Sequence, residues 1–283
     1  MGGYYMFKNF VKASWLKEHL DTPDVVILDV RFSLFDREYG NAAYEKDHIQ
    51  GAFFMDIDED FSGGRKDHGG WRPLPEMEAF KSKTESLGIG EDTTVVIYDD
   101  NFEAAARAWF VFKYFGKDQV YILDGGYQKW QAKGYPVEDR IPSAQKGKKW
   151  MLKPRYEMVV GIERVKQAIQ QEDAALIDSR AYERYSGENE PLYAKAGHIP
   201  KARNHDWNKN IEADNKIKSH LTLEEQFRYL EEAENVIFYC GSGISACVNY
   251  LAFDEVGKKS KVYIGSFSDW ISYPENPVHT EEE

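Results

Sequence analysis

Apolar residues along this chain fall into short unbroken runs, separated by longer stretches in which they recur every three or four positions. The runs at 26–28, 95–98, 175–177 and 236–239 have the length and β-branched character of buried strands. Between them, helical spacing predicts helices over 14–20, 76–87, 103–115 and 127–133. Strand and helix alternating in this way predict an α/β fold, with a parallel sheet covered by helices on both faces.

The pattern occurs twice. Val26-Ile27-Leu28-Asp29-Val30-Arg31 returns as Ala175-Leu176-Ile177-Asp178-Ser179-Arg180, an offset of 149, and Val11, Leu16 and Leu20 return at the same offset as Val160, Val165 and Ile169. His48-Ile49-Gln50-Gly51-Ala52 corresponds to His198-Ile199-Pro200-Lys201-Ala202 at 150. Val95-Val96-Ile97-Tyr98-Asp99 corresponds to Val236-Ile237-Phe238-Tyr239-Cys240 at 141, and Gly125 with Trp130 to Gly265 with Trp270 at 140. An ordered series with a single change of register predicts two tandem domains, 1–138 and 156–283, joined by a polar, proline-bearing linker over 139–155. The register drops because the first repeat carries a glycine-rich insertion over 62–73, which lacks the Gly-Lys-Ser/Thr ending of a phosphate-binding loop and reads as a solvated loop or strap. The acidic, proline-bearing tail over 274–283 is expected to be loosely held.

Composition narrows the function classes. At 283 residues with a net charge of −12, the chain is expected to be soluble, with neither nucleic acid nor membrane as partner. Two cysteines imply no disulfide framework and suit a reducing cytoplasm. Met1-Gly2-Gly3-Tyr4-Tyr5-Met6 shows neither a secretory pattern nor the Ser or Thr that myristoylation prefers.

The chemistry concentrates where the second repeat's strand empties into Cys240-Gly241-Ser242-Gly243-Ile244-Ser245-Ala246. A strand ending at Cys240 delivers its thiol to the carboxyl edge of the sheet, where open α/β folds place ligands. Glycines at 241 and 243 let backbone N–H groups curl toward the sulfur, with a helix starting near Ser245; such a nest favours the nucleophilic thiolate. The position six after Cys240 is Ala246, so the Cys-x5-Arg loop of cysteine phosphatases is absent. Cys247 lies seven positions on, outside Cys-x-x-Cys spacing, and reads as a core residue, with a resolving thiol as the alternative.

This loop resembles the active-site loop of the rhodanese superfamily, in its Cys-Gly-Ser-Gly-Val-Thr-Ala form of the 3-mercaptopyruvate sulfurtransferases. The resemblance runs from Val11 to Trp270 and implies two rhodanese-like domains, the second catalytic. The first carries Asp99 at the cysteine position and is expected to be silent, since a carboxylate cannot carry a transferred sulfur. The implied reaction passes sulfur from 3-mercaptopyruvate or thiosulfate, through a Cys240 persulfide, to cyanide or a thiol, with no metal or organic cofactor. Gly241, Gly243, Ile244 and Ser245 are expected to form the donor site, with Ser242 beside the reacting sulfur and Ser245 alternatively a helix cap.

The resemblance further implies that Arg184 binds the anionic donor, while Arg180 is expected to pair with Asp178. The mercaptopyruvate enzymes carry a second arginine nine residues on, where this chain has Tyr193; Lys195 is the nearby substitute charge. Animal-type thiosulfate enzymes carry Arg-Lys where this loop has Gly241-Ser242. His198 reads as structural. The resemblance to the mercaptopyruvate enzymes, which place the first-domain histidine in a Ser-His-Asp relay, makes His48 the candidate proton shuttle with Ser242, its acid partner sought near Asp36. Trp109, Trp130, Trp207 and Trp270 read as core or interface aromatics. Two rivals remain: a non-enzymatic persulfide carrier, and a redox sensor using Cys240 and Cys247.

Overall fold

A computed structural model describes residues 7–143 and 147–280. Met1–Met6, the centre of the expected linker at 144–146 and the last three residues of the tail lie outside the described residues. The chain forms two compact units. Unit 1 comprises Met1–Gly63, Pro75–Arg155 and Glu212–Ile217, and unit 2 comprises Gly64–Leu74, Tyr156–Ile211 and Lys218–Glu283.

In unit 1 the strands are β1 (Phe10–Val11), β2 (Val25–Asp29), β3 (His48–Ile49), β4 (Ala52–Phe54), β5 (Thr94–Tyr98), β6 (Val120–Leu123) and β7 (Val137–Glu138). Five of them build a parallel sheet in the order β1-β6-β5-β2-β4, and β3 pairs antiparallel with β7. Unit 2 has β8 (Val159–Val160), β9 (Ala174–Asp178), β10 (Arg203–Asn204), β11 (Asn235–Tyr239) and β12 (Lys261–Tyr263), parallel in the order β10-β9-β11-β12-β8. Read from the opposite edge, that order is the one found in unit 1. The central register repeats as well: Asp29 stands opposite Tyr98, and Asp178 opposite Tyr239.

β2, β5 and β11 are buried through their last four residues and β9 through its last three, as a sheet covered on both faces requires. The helices Ala13–Glu18, Met77–Ser86, Glu103–Tyr114 and Gly126–Ala132 lie within two residues of their expected ends. The helix after Cys240, Ala246–Glu255, buries eight of its ten residues, so its sequence shows little polar face. Trp130 and Trp270 sit at 0 % and 1 % exposure in the two cores.

The described part of 139–155 is more than a connector. Trp150 is buried and its indole donates to Thr84 Oγ1 at 3.1 Å, while the amides of Lys153 and Arg155 bond the carbonyls of Phe115 and Tyr114. The tail is likewise tied down as far as it is described. Trp270 Nε1 donates to the Pro277 carbonyl at 2.7 Å, and His279 exchanges two backbone bonds with His198. A buried indole N–H needs an acceptor, and the proline-bearing tail supplies one.

Candidate active site

Cys240 follows β11 directly and is 1 % exposed. The Gly243 amide donates to its Sγ at 3.1 Å, with Gly243 at φ +86°. The Cys240 amide donates to Ser266 Oγ at 3.1 Å, and that hydroxyl, which itself donates to the Tyr263 carbonyl, lies 3.8 Å from Sγ. The carbonyls of Cys240 and Gly241 accept the amides of Phe267 and Ser268 at 3.0 and 2.9 Å. Ser266 holds φ +54°, a left-handed conformation that costs a non-glycine residue about 1–3 kcal/mol and collects at functional sites. The helix opens at Ala246; Ser245 makes no side-chain cap bond. Ile244 is buried, and its carbonyl accepts the Cys247 amide. Cys247 is fully buried, with its thiol donating to the Gly243 carbonyl at 3.4 Å.

Unit 1 holds the same loop with a different terminal group. Asp99 accepts the Phe102 amide at 2.9 Å on one oxygen and the Ala105 amide at 2.9 Å on the other. The carboxylate thus fills its own nest. Burial nevertheless pushes its pKa up to about 7, against the pull of those two amides.

Arg180 pairs with Asp178 as expected, at 2.5–3.1 Å, in a fully buried bidentate contact. Glu190, its side chain 1 % exposed, bridges both arginines: it takes Arg180 Nη1 at 3.0 Å and the Arg184 fork at 2.9 and 3.1 Å. Arg184 Nη2 stands 3.4 Å from the point that a Cβ on Gly241 would occupy, and the Tyr193 hydroxyl 2.8 Å from it. The space an Arg-Lys loop would need is therefore filled by Tyr193 and Arg184. Burial, then the charge of Cys240, raise the Tyr193 pKa to about 12, so its hydroxyl stays a donor. Lys195 points elsewhere, with Nζ donating to the Pro274 and Asn276 carbonyls.

The glycine-rich insertion is not a solvated loop. Gly64–Leu74 packs within unit 2, though residues 64–69 are exposed. The Gly69 amide donates to Asp269 Oδ1 at 2.7 Å, and the Trp71 amide to Ser268 Oγ at 3.1 Å. His68 stacks on Tyr273 at 4.0 Å and bonds Ser272 Oγ, while Trp71 packs edge-on against Tyr193 at 4.6 Å. Gly70 has φ +86°, and a Cβ there would lie 2.4 Å from the Gly265 carbonyl oxygen, so only glycine fits. The segment ends by placing Arg72 Nη1 3.1 Å from Ser242 Oγ.

His48 and His198 occupy twin environments. His48 stacks on Tyr44 at 3.9 Å with Nδ1 2.8 Å from the Tyr44 carbonyl; His198 stacks on Tyr185 at 3.9 Å with Nδ1 2.9 Å from the Tyr185 carbonyl. In each unit the tyrosine hydroxyl then donates at 2.8 Å to the carbonyl of Ala52 or Ala202. His48 Nε2 also has the Arg140 carbonyl at 3.3 Å. Asp36 serves a local turn, accepting the Glu38 amide.

Among known proteins, the rhodanese-like domain matches residues 12–133 and again 162–273. The chain belongs to the rhodanese family. It is 36 % identical over 275 residues to a Pseudomonas aeruginosa protein named probable 3-mercaptopyruvate sulfurtransferase, covering 95 % of this chain and 96 % of that one. To the thiosulfate/3-mercaptopyruvate sulfurtransferase 2 of Arabidopsis thaliana it is 28 % identical over 295 residues, covering 95 % and 85 %. The crystal structure of the Escherichia coli 3-mercaptopyruvate sulfotransferase SseA superposes with a TM-score of 0.78 at 31 % identity, covering 92 % of this chain and 98 % of that one.

Around the rhodanese loop, the structure thus gathers Cys240, Gly241, Ser242, Gly243 and Arg184, all read from sequence, with Arg72 and Ser266, which were not. Ser266 had a signal: the repeat aligns it with Gly126, itself at φ +56°, so a serine there keeps a glycine conformation. Arg72 had none, because its insertion has no counterpart in the second repeat.

Proposed function

We propose that this rhodanese-family chain is a sulfurtransferase that moves a sulfane sulfur from 3-mercaptopyruvate or thiosulfate, through a persulfide on Cys240, to cyanide or a thiol. The observation that carries this reading is the Gly243 amide 3.1 Å from Cys240 Sγ, at the carboxyl end of a central parallel strand. An N–H aimed at sulfur stabilises the anion in both the thiolate and the persulfide. With thiosulfate, the thiolate attacks the outer sulfur, an S–S bond forms and sulfite leaves with the electron pair of the broken S–S bond. With 3-mercaptopyruvate the C–S bond breaks, and the carbon left behind takes the thiol proton to give pyruvate. Attack by cyanide or a thiol on the outer persulfide sulfur returns the Cys240 thiolate.

Unit 1 is silent in this scheme, since Asp99 offers no sulfur and occupies the amides itself. His48 is held like its twin His198, through its stacked tyrosine and the carbonyl on Nδ1, which supports a role in the fold of its own unit. An acidic surface and small anionic substrates fit a cytoplasmic enzyme without nucleic acid or membrane partners; no helix among the described residues is long and apolar enough to cross a membrane. Brief incubation with either donor, followed by intact-protein mass spectrometry, should show one added sulfur atom, absent in Cys240→Ala. No added sulfur from either donor would refute the reading.

A further inference from the structure

Tyr193 leans over the Cys240 loop with its hydroxyl leading. Gly241 has no side chain to obstruct it, and the hydroxyl comes 2.8 Å from where a Cβ would stand, the ring edge 3.2 Å. The ring is half-buried and held edge-on by Trp71 at 4.6 Å and by Phe267 at 5.8 Å. Both neighbours are tied to the backbone that carries the nucleophile. The Phe267 amide donates to the Cys240 carbonyl at 3.0 Å; the Trp71 amide donates to Ser268 Oγ, and the Ser268 amide to the Gly241 carbonyl at 2.9 Å. The Arg184 guanidinium lies 5.4 Å from the ring centre, with its fork bound to Glu190. Among the described residues the Tyr193 hydroxyl has no hydrogen-bond partner, and Cys240 is near enough for its charge to act on the phenol. A neutral O–H donor, protonated up to about pH 12, thus stands beside the loop of the reacting sulfur.

We infer that Tyr193 is a catalytic residue for one of the two donors: its hydroxyl donates a hydrogen bond to the keto oxygen of 3-mercaptopyruvate, so the site favours that donor over thiosulfate. This rests on the sulfur-transfer reading above and adds to it a residue that chooses between its donors. When the Cys240 thiolate attacks the sulfur of 3-mercaptopyruvate, an S–S bond forms and the electron pair of the broken C–S bond passes into the carbon fragment. That charge collects on the keto oxygen as an enolate. A hydrogen bond to a neutral carbonyl roughly doubles in strength when its acceptor becomes an anion, so the phenol stabilises the transition state more than the bound donor. Tyr193 keeps its proton throughout. The carbon takes the proton of the donor's thiol, which leaves pyruvate and the persulfide anion. Thiosulfate oxygens carry their charge before the reaction begins, so the same hydroxyl binds ground state and transition state nearly alike and gains little in rate.

The test compares the two donors on one variant. Single-turnover loading of Cys240 is followed in wild type and Tyr193→Phe, which keeps the ring and removes the hydroxyl, giving a maximal rate and a half-saturating concentration for each donor. The ratio of the two maximal rates within one sample does not depend on the folded fraction, so a destabilised variant still gives an answer. The maximal rate with 3-mercaptopyruvate is expected to fall at least tenfold, its half-saturating concentration and both thiosulfate parameters staying within threefold. Sulfur release from pre-loaded protein to 2-mercaptoethanol should stay within twofold. Equal losses with both donors would overturn the assignment by making Tyr193 a general support of the loop. An unchanged maximal rate with 3-mercaptopyruvate would overturn it as well, whatever happens to half-saturation. A wild type that loads from thiosulfate alone would overturn it and leave the transfer reading standing, whereas loading from neither donor would remove both.

Discussion

Phe102 and Gly243 occupy the same position in the twin loops and share a left-handed backbone, φ +75° in one and +86° in the other. In each loop this residue's amide reaches the terminal group of the strand, Asp99 Oδ1 at 2.9 Å or Cys240 Sγ at 3.1 Å. The loop conformation is therefore a property of the fold, tolerated by a bulky side chain where no chemistry is asked of it. A non-glycine residue in this region costs about 1–2 kcal/mol. Gly243→Ala should accordingly lower stability by about that amount and keep sulfur loading within tenfold, in denaturant titration and donor kinetics respectively. A loss of several hundredfold with a normal melting temperature would show that the amide had turned away from the sulfur.

Ser266 offers the complementary experiment. Gly126, at φ +56° in unit 1, shows that the backbone at this position accepts glycine. Ser266→Gly relieves the left-handed strain but removes the hydroxyl that accepts from the Cys240 amide and lies 3.8 Å from Sγ. The two effects oppose each other in stability and not in function. The melting temperature should stay within a few degrees, while kcat falls at least tenfold and donor KM stays within twofold. Equal losses in kcat and melting temperature would reduce Ser266 to a structural residue.

Glu190→Gln should separate stability from affinity in the other direction. Glu190 is buried against the Arg180 and Arg184 guanidinium groups, and removing one partner of a buried ionic contact costs about 3–5 kcal/mol. The same change lifts a negative charge from beside the donor site and frees the Arg184 fork. Donor KM should fall as thermal stability falls. A rise in KM at constant folded fraction would mean that Glu190 orients Arg184 rather than competing for it.

How much of this was legible in sequence depends on what each repeat could check against the other. Asp29 with Arg31 and Asp178 with Arg180, or Tyr98 and Tyr239, recur at fixed offsets and bond alike, so the twin strands and the Arg180–Asp178 pair could be read by comparison. Cys240 was legible because glycines at 241 and 243 have a backbone reason to stand there. Three features were hidden. The 62–73 insertion is polar and glycine-rich, a pattern shared by solvated loops and by segments pinned through backbone amides, and only the contacts to Asp269 and Ser268 separate the two. Its polar composition similarly concealed that 147–155 packs into unit 1, where a single residue, Trp150, supplies the apolar anchor. The surroundings of His48 were hidden too, because a histidine's roles share one residue type; the stacked Tyr44 and the carbonyl on Nδ1 are tertiary facts.

The two units should respond to pH in opposite senses between about 4 and 7. Asp99 in the folded chain titrates near 7 instead of 3.8, because burial favours its neutral form, so folding binds this proton more tightly. Its stabilisation of unit 1 is complete below 3.8 and is lost as pH rises through 7. His205 in unit 2 is shifted the other way, to about 4 from 6.5, by burial that favours the neutral imidazole despite the Asn210 contact. Its stabilisation is complete above 6.5 and is lost as pH falls through 4. Hydrogen exchange resolved by peptide, at several pH values and corrected for intrinsic exchange rates, would read the two units separately. Asp99→Asn should flatten the pH dependence of protection in 94–115 without changing 235–255, and His205→Gln should flatten the opposite slope in 235–255 alone. Identical slopes in variant and wild type would assign the pH dependence to other groups.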